Sequence, residues 1–148
     1  SFIVCKKWVI NIFEYKFIAI HTPLITSLKG PETKMSKSIH GSGISVTDSS
    51  EEIKTSIKNA YCPEKQTADN PVLQITKLII LPLLEKLEVK RDKKFGGNKT
   101  YTSYSNLEND FASGSLHPLD LKNAVAEHLE KIISPIRKNF KWIIYPYL

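Results

Sequence analysis

Lys34-Met35-Ser36-Lys37-Ser38 packs two ammonium groups, two hydroxyls and one apolar side chain into five residues, with Gly30 before it and Gly41 and Gly43 after it. The ligand that such a cationic loop suits is a polyphosphate. Lysines neutralise anionic oxygens as point charges, while Ser36, Ser38 and neighbouring backbone N–H groups donate hydrogen bonds. Were pyrophosphate to leave from that ligand, charge would build on its oxygens in the transition state, and a loop that closes late would favour that state. The competing reading is a solvated basic surface loop, the usual fate of a charge run.

Other stretches accompany the pentapeptide in a fixed order. His21-Thr22-Pro23-Leu24-Ile25-Thr26 lies just upstream; Arg91-Asp92-Lys93-Lys94-Phe95-Gly96-Gly97-Asn98-Lys99-Thr100-Tyr101, His117-Pro118-Leu119-Asp120-Leu121-Lys122-Asn123 and Ser134-Pro135-Ile136-Arg137-Lys138 follow. The pentapeptide spells the KMSKS signature of class I aminoacyl-tRNA synthetases. Together the blocks resemble the tyrosyl-tRNA synthetases of archaeal and eukaryotic type over about residues 18–140.

The resemblance implies a mainly α fold with a small β-hairpin, an anticodon-binding helical domain, preceded by the last strand and KMSKS loop of a Rossmann-like α/β catalytic domain. The expected boundaries are 1–48 for the catalytic remnant, 49–140 for the helical domain and 141–148 for an aromatic tail with no assigned role. It also implies that Lys34, Met35, Ser36, Lys37 and Ser38 bind ATP, with Lys37 the stronger catalytic cation and Lys34 its companion. ATP with Mg2+ is the implied substrate, with no protein-bound metal. Tyrosine tRNA is the implied partner, a homodimer the state of the full-length family, and the cytoplasm the location.

The chain departs from the family in what it lacks. Residues 1–14 do not resemble it, and the HIGH signature is missing; His40-Gly41 lies after the KMSKS loop and has no second histidine. The tyrosine pocket is missing too, so these 148 residues alone are not expected to activate an amino acid. Met35 is the only methionine, so Ser1 either follows a removed initiator or begins a piece of something longer. Two other functions stay open: a non-catalytic tRNA-binding protein derived from a synthetase, against which the intact KMSKS loop argues, and a generic basic RNA-binding domain indifferent to the anticodon.

Composition agrees with an anionic partner. The 21 Lys and Arg exceed the 15 Asp and Glu, leaving a formal charge of +6 and a sequence pI of about 9.2, the usual balance of a nucleic-acid binder. The length suits one ordinary domain or two small ones. Cys5 and Cys62 lie far apart without CxxC spacing, which favours reduced thiols over a disulfide or a zinc site. Lys6, Lys7, Glu14 and Lys16 interrupt the apolar N-terminus, so no span of about 20 apolar residues exists to cross a membrane. No small-residue cleavage site follows to make a secretory signal. Residues 15–20 read as a buried strand closed by Pro23.

Local signals mark the remaining elements. Ser49 and Glu52 spell a capping box, after which Ile53, Ile57, Ala60 and Tyr61 share one helical face until Pro63 forces a stop near Cys62. Asn70-Pro71 reads as N-cap and first residue of a core helix over 72–81 that ends at Pro82. Residues 87–90 and 99–102 alternate around Gly96-Gly97, predicting a hairpin with Phe95 beside its turn. A short helix over 106–112 would place Leu107 and Phe111 on one side. A long one from His117-Pro118 would align Leu121, Val125, His128, Leu129, Ile132 and Ile136, with Pro135 as a kink or boundary.

Phe95, His117, Leu119 and Asp120 form the second constellation. RNA sequence is mostly read on unstacked bases that stack on aromatic rings and offer their pairing edges. A carboxylate accepts two donors from the edge of guanine, which suits Asp120 at a helix start, with Phe95 and His117 on either side of the base. The resemblance assigns all four to the first anticodon base, a guanine in tyrosine tRNA; Leu119 holds a position that varies within the family. The structural alternatives are a hydrophobic plug for Phe95, a capping or dipole role for Asp120, a helix entry for His117 and a packed helix face for His128. Lys93, Lys94, Lys99, Lys122 and Lys138 are either solubilising charge or contacts to a tRNA backbone.

Overall fold

The computed structural model describes residues 23–36, 39 and 41–144; for Phe95 and for 140–144 it describes the backbone only. The strand expected over 15–20 lies outside these residues.

Helix α1, Ser50–Lys58, begins as the sequence predicts. Ser49 Oγ accepts the Glu52 N–H at 3.3 Å while Glu52 Oε2 accepts the Ser49 N–H at 2.7 Å, closing the capping box. Ile53 and Ile57 are buried. Its end differs from expectation. The helix stops at Lys58, well before Pro63, because the Tyr61 N–H turns away to the Leu28 carbonyl at 2.6 Å. A long-range partner therefore overrides a local stop signal.

The next helical run starts at Asn70, which is fully buried. Its Oδ1 accepts the N–H groups of Val72 at 3.1 Å and Leu73 at 3.3 Å, and its Nδ2 donates to the Gln66 carbonyl at 3.0 Å. From there α2 (Pro71–Ile75) passes into a π turn (Thr76–Ile80) and on into α3 (Leu81–Leu84). The expected stop at Pro82 is thus corrected. In a regular helix the proline ring would clash with the carbonyl four residues back. Here the Leu81 N–H reaches back five residues to Thr76, and this wider turn lets the helix carry Pro82. It ends where Glu85 takes a left-handed φ of 59°.

Strands β1 (Leu87–Val89) and β2 (Lys99–Tyr101) pair antiparallel, with Leu87 opposite Tyr101 and Val89 opposite Lys99. Leu87, Val89 and Tyr101 are buried. The connection is longer than a two-residue turn. It contains a 3-10 turn, Lys93–Phe95, and Gly96 and Gly97 take the positive φ values of 91° and 71° that turn it back. Helix α4, Tyr104–Ser113, buries Leu107 and Phe111 and ends at Gly114.

The last helix, α5, runs over Pro118–Ile144 without a boundary at Pro135. Leu121, Ala124, Val125, Leu129 and Ile133 are buried on it against α1 and β1. Ile136, expected on that face, is 42% exposed, so the apolar stripe ends near Ile133. His128 lies on the packed face: its ring Nδ1 donates to the Ala124 carbonyl at 2.8 Å, and Nε2 accepts the Glu88 N–H at 3.3 Å. The helices, the hairpin and Leu28 share one core. No described helix is long and apolar enough to cross a membrane.

Candidate functional site

The loop carrying Lys34 and Met35 is pinned at its base by a serine. Ser42, 1% exposed, accepts the Ser36 N–H on its Oγ at 3.1 Å and returns a hydrogen bond to the Ser36 carbonyl at 2.8 Å. The Ser42 carbonyl in turn accepts from the Leu28 N–H at 2.9 Å and the Ser27 hydroxyl at 3.3 Å. Ser36 and Ser42 are therefore clasped together and anchored on the core through Leu28. Gly30 makes this possible: its φ is 108°, and a Cβ there would lie 3.3 Å from the Tyr61 ring. Met35, 44% exposed, lies against Gly43.

Lys34 is exposed, whereas Lys37, Ser38 and His40 lie outside the described residues. The Ser36 N–H, a candidate anion donor, is engaged by Ser42. A cleft of about 870 Å³ opens beside the loop, between Met35 and Gly43 on one side and Asp48, Glu51 and Thr55 on the other.

The second constellation gathers at the start of α5. His117 precedes the helix, and its Nδ1 accepts the Leu119 N–H at 3.1 Å, so His117, not Asp120, supplies the side-chain cap. With Nδ1 accepting, the neutral ring carries its proton on Nε2, which lies 3.3 Å from Glu64 Oε1. Leu119 is 49% exposed. Asp120 stands half-exposed in the first turn, and no described side chain pairs with its carboxylate. Phe95 ends the 3-10 turn of the hairpin loop; its side chain lies outside the described residues.

Arg91 joins the two parts of this face. Its Nε donates to the Gly97 carbonyl at 3.3 Å and its Nη1 to the Ser115 carbonyl at 2.7 Å. Close by, Asp110 Oδ2 accepts from the Lys99 ammonium and, at 2.7 Å, from the Tyr101 hydroxyl. These donors, Lys99 first, hold the Asp110 carboxyl below the usual range. Burial, with the Asp110 carboxylate as a further cause, pushes the Tyr101 phenol up.

Among the scattered lysines, Lys99 is thus engaged, and Lys122 donates to the Lys58 carbonyl at 3.0 Å, a favourable place at the C-terminal end of α1. Lys93, Lys94 and Lys138 are exposed. Burial raises the Cys62 thiol, so it is a poor nucleophile. No group of three His, Cys, Asp or Glu side chains able to hold a metal occurs among the described residues.

Sequence reasoning missed Ser42, Glu64 and Arg91. Arg91 stands within a quoted block, but nothing in the spacing shows that it reaches Ser115. Ser42 carried the one available signal, a small polar residue between two glycines.

The profile of the family described as tRNA synthetases class I (W and Y) matches residues 5–134. The tyrosine–tRNA ligase of Methanocaldococcus jannaschii is 50% identical over 123 residues, which cover 83% of this chain and 39% of that protein. That of Aeropyrum pernix is 46% identical over 138 residues, covering 82% and 38%. The structure of tyrosyl-tRNA synthetase complexed with L-tyrosine from Archaeoglobus fulgidus superposes with a TM-score of 0.75 at 48% identity, covering 80% of this chain and 36% of that one. The corresponding Pyrococcus horikoshii structure gives 0.74 at 39%, covering 84% and 38%. The chain spans about two fifths of the length of the curated relatives it matches. With the KMSKS pentapeptide, the later blocks and the shared fold all in one chain, it belongs to the class I tRNA synthetases of the W and Y family.

Proposed function

We propose that this chain is part of an ATP-dependent tyrosine–tRNA ligase, supplying the ATP-phosphate loop and the domain that reads the anticodon. The observation that carries the reading is the 50% identity to a tyrosine–tRNA ligase over 123 residues. Residues 1–48 would be the remnant of a Rossmann-like catalytic domain, 49–140 the anticodon-binding domain and 141–148 a tail. The whole ligase would work in the cytoplasm as a homodimer.

In that ligase, ATP and tyrosine give tyrosyl-adenylate and pyrophosphate, and the terminal ribose of tyrosine tRNA then takes the tyrosyl group. The loop acts electrostatically, since it holds no general base: Lys37, with Lys34 as its companion, stabilises charge on the departing pyrophosphate. Met35, Ser36 and Ser38 complete the phosphate contact, and the Ser42 clasp holds the Ser36 backbone. Magnesium enters with ATP as part of the substrate; no described cluster fits it, and no step here runs through it.

At the other face, the Asp120 carboxylate, without a side-chain partner among the described residues, accepts the donors of the first anticodon guanine, while Phe95 and His117 stack on it and Leu119 flanks it. The test is a titration of the chain, at one fixed salt concentration, against tyrosine tRNA and a copy changed at that base. Tighter binding of the guanine form is expected. Equal binding of the two would reject the anticodon assignment.

A further inference from the structure

We infer that Arg91 is the positioning residue that sets the separation between the two sides of the base site, an inference that rests on the anticodon reading above. Its guanidinium bonds to Gly97 O, two residues after Phe95, and to Ser115 O, two residues before His117. Its own N–H donates to Asn98 Oδ1 at 3.0 Å, so the backbone that bears the fork is held as well. Among the described hydrogen bonds, the one from Arg91 to Ser115 alone joins residues 91–98 to 114–117.

Below the loop, the hairpin is tied to the helices through Lys90 on Glu127 and through Lys99 and Tyr101 on Asp110, whose carbonyl also accepts the Leu116 N–H. Within the loop, Gly96 and Gly97 donate back to Lys93 O and Asp92 O. Neither set ties the loop tip directly to the residues before His117. Arg91 does, because its planar donors leave the group at set angles and its charge strengthens each bond to a carbonyl. A base stacked between two surfaces is sensitive to their spacing, so the brace acts on recognition without touching the base.

The choice of partners supports positioning over charge pairing. A carboxylate, Asp110, lies near the guanidinium, yet Asp110 is bonded to Lys99 and Tyr101, and the Arg91 donors go to backbone carbonyls. Lysine at this position would keep the charge, and with it the general attraction to phosphate, while losing the fork.

The experiment is the titration of the 148-residue chain and its Arg91→Lys variant against tyrosine tRNA and the copy changed at the first anticodon base, at one salt concentration. The expected result is that the variant loses about 10-fold or more in affinity for the guanine form, the scale of one charge-assisted hydrogen bond, with affinity for the altered tRNA unchanged. Selectivity equal to that of the parent chain overturns the inference, as does an equal loss on both tRNAs. If the parent chain itself does not distinguish the two, the anticodon reading falls first and the inference with it. Should Arg91→Lys fail to fold, Asn98→Ala, which releases the Arg91 backbone, is expected to lower selectivity about 3-fold; unchanged selectivity there overturns the inference as well.

Discussion

The hydroxyl of Ser42 is bonded to both backbone groups of Ser36, accepting its N–H at 3.1 Å and donating to its carbonyl at 2.8 Å. One buried side chain thereby clasps Ser36 to Ser42 at the point where the cationic loop meets the core. Replacing it leaves two backbone groups without that partner. We expect Ser42→Ala to cost about 1–2 kcal/mol in urea unfolding with the denaturant slope unchanged. A stability equal to that of the parent chain would show that the loop base does not depend on this clasp.

Lys37 carries the electrostatic role proposed for the loop. In a ligase containing this loop, Lys37→Ala is expected to lower tyrosine-dependent pyrophosphate exchange about 100-fold or more, the scale of losing one oxyanion donor. Retention of the parent exchange rate would remove the loop from the chemistry.

Asp120 has no partner among the described side chains, so its carboxylate is free to meet a base edge. Asp120→Ala is expected to weaken tyrosine tRNA binding by about 1–3 kcal/mol, the range for one good base contact. The comparison that decides is a tRNA altered at the first anticodon base, whose binding should hardly change. A uniform loss across anticodons would point to a damaged helix start instead.

Asp110 makes stability depend on acid in a defined direction. Its carboxyl is held below the ordinary 3.8, by the Lys99 ammonium first and the Tyr101 hydroxyl second. A lowered carboxyl contributes stability that is fully present above the unfolded value and is lost as the pH falls through the folded one. The parent chain should therefore lose this contribution below about pH 4, and Asp110→Asn should show a flatter decline of Tm there. Melting curves from about pH 6 to about pH 3 test this; parallel declines would assign the acid sensitivity to other carboxylates.

Elements whose cause is local were legible. The Ser49–Glu52 box, the Asn70 cap before Pro71 and the alternation around Gly96-Gly97 all act within a few residues, and each appears where the sequence places it. Elements decided at long range were not. The end of α1 depends on Leu28, far back in the chain, and the passage through Pro82 depends on a π turn that no pattern announces. Ile136 follows the helical period of α5, yet the core it would join ends near Ile133.

By itself the sequence determined the family and the order of the helices and hairpin, and it supplied the residues proposed for phosphate and base, because these follow from motifs, caps and periodicity. Only the tertiary structure decided how those residues are held: Ser42 under the loop, Glu64 on His117 and Arg91 between the hairpin and α5. Each of these bonds joins groups brought together by burial of a shared core, and spacing along the chain carries no record of that.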